Sequence, residues 1–187
     1  MSVAGMVLFP GAGSASTHSA LVAIAEHLAP LPVVRADFPY RKAGKKFPDK
    51  APVLVASVVA ETQQLADELG CATSDIVIGG RSMGGRMCSM AIAEGLNVAG
   101  LVCIGYPLHP PKKPDQLRTA HLPQVRVPSL FVSGTRDEFA TPDELRAACA
   151  LMGVHPTLTF IDGGRHELKG ADGEVATMIA NWMDGLS

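Results

Sequence analysis

Apolar residues gather in six short runs, at 5–9, 33–37, 75–79, 99–105, 129–133 and 157–162. Most are rich in Val, Ile, Leu and Phe at consecutive positions. This pattern predicts strands buried on both faces, since an amphipathic strand would alternate apolar and polar residues. Between the runs the spacing lengthens to a helical period. Residues 18–28 put Leu21, Ile24, Ala25 and Leu28 on one face. A helix over 52–69 is expected to start near Asp49 and to end at Gly70, a residue suited to a left-handed helix end. Residues 83–94 form a third helix that stops at Gly95. Thr141-Pro142-Asp143-Glu144 combines a capping box with proline at the first helical position, so a helix starts there. A last helix is expected over 173–183.

Strand–helix alternation predicts a three-layer α/β/α arrangement, with a mostly parallel sheet between two helix layers. Ligands in such sheets bind beyond the carboxyl ends of the strands. The loops after the strands therefore hold the candidate chemistry.

The strongest motif is Gly79-Gly80-Arg81-Ser82-Met83-Gly84-Gly85-Arg86. It contains G-x-S-x-G after a buried strand and before a helix, the context of a nucleophile elbow. Ser82 must occupy a strained strand-to-helix turn for its hydroxyl to stand clear of the sheet, and Gly80 and Gly84 carry no side chain to clash there. A serine nucleophile needs a base, and the base needs an orienting acid. Asp137 follows the fifth run and His166 the sixth, in the order serine, acid, histidine. Asp162, Glu138 and Asp37 are weaker rivals for the acid, and Asp162 is expected to cap its own loop. His18 and His109 follow strand ends and could line a pocket, whereas His27 reads as a surface residue. The backbone N–H groups of Met83 and Ala12 are the expected oxyanion donors. Gly11 and Gly13 let the first loop approach a ligand. That loop is no phosphate cradle, because neither the lysine of G-x-x-x-x-G-K nor the third glycine of G-x-G-x-x-G is present. Met83, Met87 and Met90 read as a core stripe. Arg81, Arg86, Arg136 and Arg165 neighbour the candidate site. Pairing with local carboxylates or carbonyls is their expected role, and substrate binding is the alternative.

Composition narrows the functional classes. Sixteen Lys and Arg against 18 Asp and Glu give a net charge of −2, which speaks against a nucleic-acid or polybasic membrane partner. Mean hydropathy is +0.21, yet no apolar run reaches the ~18 residues of a membrane span. The 187 residues fit a single domain over 1–187. Cys71, Cys88, Cys103 and Cys149 form no C-x-x-C pair, so no metal site is expected and free buried thiols are. The first residues lack the basic region of a signal peptide, and a cytoplasmic location is expected.

The sequence resembles the small α/β-hydrolases of dienelactone-hydrolase-like type, especially a compact subgroup similar to the KANL/Tex type. The resemblance covers nearly the whole chain. It is carried by F-P-G-A-G, D-F-P-Y-R-K-A-G, P-D-K-A-P-V-L, G-G-R-S-M-G-G-R-M, G-Y-P-L-H-P-P-K-K-P, L-R-T-A-H-L, S-G-T-R-D-E-F and G-G-R-H-E-L. It implies a hydrolase sheet of six strands that lacks the two leading strands, ordered 2-1-3-4-5-6, with no cap domain. Dienelactone hydrolases use Cys where Ser82 stands, so their substrate does not carry over. Pro10 replaces a common His, and Arg165 replaces a common Asp.

The expectation is a serine hydrolase acting on a small ester or thioester through Ser82, His166 and Asp137, with no cofactor. An acyltransferase and a non-catalytic interaction module on the same fold are the alternatives. The short, proline-rich stretch 105–128 leaves room for a small flap only. Arg81, Tyr106 and His109 join Gly11 and Gly13 as the expected pocket wall.

Overall fold

The computed structural model describes residues 3–186. Met1 and Ser2, part of the stretch read for a leader, and Ser187, the end of the expected domain, lie outside the described residues. Strand β1 (Gly5–Phe9) leads to helix α1 (Ser19–His27), β2 (Val33–Arg35), a short helix α2 (Pro39–Lys42) and the long α3 (Ala51–Leu69). Then come β3 (Ile76–Arg81), α4 (Met83–Ala93), β4 (Gly100–Ile104), β5 (Ser129–Gly134), α5 (Pro142–Cys149), β6 (Thr157–Ile161) and α6 (Asp172–Asp184). The sheet order is β2-β1-β3-β4-β5-β6. All five neighbouring pairs are parallel.

The continuous apolar runs are explained by two cores. Along β1, Met6 and Leu8 face one side and Val7 and Phe9 the other, as a period of two requires. Leu21 and Ile24 of α1 and Val175, Ile179 and Met183 of α6 cover the first side. Helices α3, α4 and α5 cover the second with Leu54, Val58, Met87, Ile92 and Leu145. Burying each such side chain contributes roughly 1.5–3 kcal/mol. Met87 sits in this second core and Met83 and Met90 pack at its edge, so the methionine stripe is core packing.

The helix ends follow local chemistry. Gly70 ends α3 in the left-handed conformation (φ 66°). Thr141 and Glu144 form the expected capping box of α5. Helix α3 has no side-chain cap, and its N-terminal flank is Lys50, not Asp49. Between β4 and β5 lies a single 3-10 turn, Leu122–Gln124, and no helix of cap size. Among the described residues no helix is long and apolar enough to cross a membrane.

Candidate active site

Strand β1 and the turn from β3 to α4 approach too closely for side chains. A Cβ at Gly80 or Gly84 would run into the carbonyl oxygen of Phe9. These two glycines therefore let β3 and α4 fold against β1. Between them Ser82 is held at φ 48° and ψ −115°, a conformation that costs an L-residue about 1–3 kcal/mol. Two backbone bonds hold it there: Ser82 N–H donates to Ile104 C=O at 2.8 Å, and Arg86 N–H donates to Ser82 C=O at 3.1 Å.

The loops after β5 and β6 lock together beside this turn. Arg136 N–H donates to Gly164 C=O at 2.8 Å, and a Cβ at Gly134 would strike that same carbonyl. The result is a buried pair. Asp137 is 3% exposed and His166 5%. Asp137 accepts from Phe139 N–H at 2.8 Å and from Ser133 Oγ at 3.2 Å. Its two carboxylate oxygens both lie 3.0 Å from His166 Nδ1. An ionised carboxylate only accepts, so Nδ1 carries the proton and Nε2 is left with a lone pair. That Nε2 lies 2.9 Å from Ser82 Oγ. The Phe139 ring packs on the imidazole with centroids 4.0 Å apart. Gly105, at φ 59°, passes beneath the ring, where an added Cβ would come within 3.0 Å of the His166 carbonyl.

The first loop is fastened from behind by α2, which the hydrophobic pattern did not predict. Tyr40 Oη donates to Ala12 C=O at 2.9 Å, and Arg41 Nε donates to Ser14 C=O at 2.9 Å. Burial raises the Tyr40 phenol pKa, so the hydroxyl keeps its proton and stays a donor. Phe9, Phe38 and Tyr40 stack in series beneath it. Asp37 accepts from Ser16 N–H and Ser16 Oγ at 2.7 and 2.8 Å. It therefore fixes a loop and stands apart from His166. Asp162, expected to cap its own loop, instead accepts from Thr135 Oγ1 of the loop after β5 at 3.2 Å.

A cavity of about 650 Å³ opens over Ser82 and His166. Gly11, Ala12, Gly13, Arg81 and Met83 line it. Tyr106 and His109 do not. The left-handed Gly105 turns the chain so that Pro107 meets the cavity. Tyr106 is fully buried and packs against Phe131, with its hydroxyl in a polar cluster with Ser89 and His121. His109 is buried away from the cavity, with Nδ1 bonded to Pro110 C=O at 2.8 Å and Nε2 3.6 Å from Glu144. Phe139, Arg118 and Glu167 line the cavity instead. Phe139 had a signal in its spacing, two residues after Asp137. Arg118 lies in the L-R-T-A-H-L motif, which gave it no role.

The arginines divide. Arg81 is buried, with Nη2 3.0 Å from Glu167 and 3.3 Å from His166 C=O. Its Nη1 lies 2.9 Å from His18 Nε2. Burial, reinforced by the Arg81 charge, lowers the His18 pKa. Arg86 lines the cavity, while Arg136 and Arg165 are exposed outside it.

The fold recurs in known proteins. Est1E from Butyrivibrio proteoclasticus is similar over 99% of this chain and 88% of its own, with a TM-score of 0.80 at 16% identity. Dienelactone hydrolase from Anabaena variabilis is similar over 98% of this chain and 87% of its own, with a TM-score of 0.71 at 22% identity. A monoacylglycerol lipase from Paleococcus ferrophilus gives 0.75 at 15% identity, over 100% of this chain and 96% of its own. These likenesses describe the fold. In sequence, the chain is 36% identical over 66 residues to a pimeloyl-acyl-carrier-protein methyl ester esterase of Stenotrophomonas maltophilia. That stretch is 35% of this chain and 26% of that protein, so the chain spans about a quarter of the relative's length. A family model described as alpha/beta hydrolase domain matches residues 2–185. With a match of that extent and a sheet of this order, the chain belongs to the alpha/beta hydrolase domain family.

Proposed function

We propose that this protein is a serine hydrolase that cleaves small esters or thioesters through an acyl-enzyme. The observation that carries the reading is the unbroken hydrogen-bonded chain from Ser82 Oγ through His166 to Asp137. Ser82 attacks the carbonyl carbon as His166 Nε2 takes its proton. The imidazolium then returns the proton to the leaving group, and the Asp137 carboxylate stabilises the transient charge. Water, activated by the same histidine, releases the acid. The N–H groups of Ala12 and Met83 are the donors for the oxyanion, each worth about 3 kcal/mol of barrier.

Rival nucleophiles are weak. Cys88, Cys103 and Cys149 are buried, and burial raises all three thiol pKa values, Cys149 to about 12. A thiol kept protonated is a poor nucleophile. Free thiols also fit a reducing cytoplasm. The cavity of about 650 Å³ suits a small substrate.

Hydrolysis of 4-nitrophenyl acetate, butyrate and laurate tests the reading. The acetate and butyrate esters are expected to be cleaved faster than the laurate, and Ser82→Ala to cleave none. A wild-type protein inert toward all three, and toward the matching thioesters, would overturn it.

A further inference from the structure

The chain as a whole is weakly acidic, with a net charge of −2. Its cavity is not. Three arginines line it, Arg81, Arg86 and Arg118. Arg81 is neutralised by Glu167 at 3.0 Å. Among the described residues, neither Arg86 nor Arg118 meets a carboxylate within 4.0 Å. Arg86 is half-buried, and its Nε is a fully buried donor without a hydrogen-bond partner. A buried donor left unpaired costs about 1–3 kcal/mol, more when the group is charged. Burial lowers the Arg86 pKa. Tyr106 offsets part of that shift, and the nearby charge of Arg118 adds to it. Two like charges facing one cavity without a counterion form a site that an anion would complete.

Their placement ties this site to the reacting serine. Arg86 follows Ser82 by four residues, and its N–H donates to the Ser82 carbonyl. Arg86 thus stands in the first turn of α4, fastened to the turn that carries Ser82. Arg118 comes from the flap between β4 and β5, where its N–H donates to Leu108 C=O at 2.7 Å. The flap is fixed to α4 by the polar cluster of Ser89, Tyr106 and His121. Ser89 Oγ donates to Arg86 C=O at 2.8 Å and meets both Tyr106 Oη and His121 Nε2. Both arginines thus stand on supported backbone and not on loose loops.

We infer that the site selects esters carrying a second, anionic group, a carboxylate or a phosphate, which Arg86 and Arg118 grip together while Ser82 faces the scissile carbonyl. This inference rests on the hydrolase reading above. The guanidinium fork matches either oxyanion in a bidentate manner, which explains two arginines where lysines would supply charge alone.

The test compares kcat/KM for 4-nitrophenyl esters of hexanoic acid, of adipic acid with its second carboxylate free, and of 6-phosphonooxyhexanoic acid. At least one anionic ester is expected to exceed the hexanoate by about tenfold or more, mainly through KM, with the advantage shrinking as salt rises. Which one does so identifies the group. Arg118→Gln and Arg86→Gln should each lower the anionic-to-neutral ratio, and the double variant should bring it to about one. Arg118→Lys should keep part of it. Should Arg86→Gln fail to fold, Arg118→Gln alone reads the ratio. A wild-type ratio of about one for both anionic esters, or a ratio untouched by the variants, overturns the inference.

Calorimetric titration of Ser82→Ala with adipic acid monoamide, 6-phosphonooxyhexanamide and hexanamide separates the two readings. Tighter binding of an anionic amide, without turnover of any ester by the wild type, keeps the anion site and removes the hydrolase. Ester turnover with equal binding of all three amides does the reverse.

Discussion

Two serine–histidine contacts of nearly equal length lie seven residues apart along α4 and the turn before it. Ser82 Oγ stands 2.9 Å from His166 Nε2, and Ser89 Oγ stands 2.8 Å from His121 Nε2. Distance alone cannot tell them apart. The proton of Ser89 is committed to the Arg86 carbonyl, so His121 must donate to that serine and cannot relieve it of a proton. No carboxylate is bonded to His121 among the described residues, and burial pushes its pKa down to about 4. Ser89 is also wholly buried, out of reach of any substrate. Ser82 differs in each respect. It stands on a left-handed turn, borders a cavity, and faces a histidine whose far nitrogen is bonded to Asp137. Access, an available proton and an orienting acid therefore distinguish a reactive serine from a structural one.

Substitutions should drive the two pairs apart. Ser82→Ala is expected to lower kcat toward the preferred ester on the order of a millionfold, while the protein stays folded. Ser89→Ala should leave kcat on the wild-type order, and comparable losses in both variants would erase the contrast. Asp137→Asn should cost about ten-thousandfold in kcat, because an amide in place of the carboxylate favours the wrong imidazole tautomer. Steady-state kinetics at one pH measures all three. The loss at Ser89 should appear in urea denaturation, as a drop of roughly 1–3 kcal/mol, because three hydrogen-bonding partners, Arg86 C=O, Tyr106 Oη and His121 Nε2, lose their serine.

The smallest expected effect is a pH slope. The folded chain holds His121 neutral down to about 4, below its ordinary value of 6.5. Within that window the unfolded chain binds more protons, so stability falls as pH drops and levels off below it. His121→Gln should flatten this slope. Burial and the Arg81 charge lower His18 as well, so part of the slope should remain. Urea midpoints at about pH 7 and about pH 4.5 measure the difference. An unchanged slope in His121→Gln would deny His121 its neutral, structural role.

Much of this was legible in the residues. Ser82, Asp137 and His166 each end a strand or follow it, and chain order brought them to one end of a parallel sheet. The serine turn followed from a motif with strict steric demands, and the strand order from the family resemblance. What escaped depends on contacts between distant segments. Strand β2 stops at Arg35 because Asp37 turns to hold Ser16. Strand β3 runs on to Arg81, paired with Ile104, since its two glycines permit close neighbours and do not end the strand. Helix α2 has only four residues, too few to show a period. Tyr106 misses the pocket because one residue's turn at Gly105 decides which side chain faces the cavity, and apolar pattern carries no record of that turn. The pairing of Arg86 with Arg118 needs the flap to be folded onto α4, which no spacing encodes.

Fluorophosphonate labelling followed by peptide mass spectrometry tests the assignment of Ser82 most directly. The wild type and Ser89→Ala should carry the label on Ser82, whereas Ser82→Ala should carry none and His166→Ala only a trace. Full labelling of Ser82→Ala, or a wild type that takes no label, would contradict Ser82 as the nucleophile.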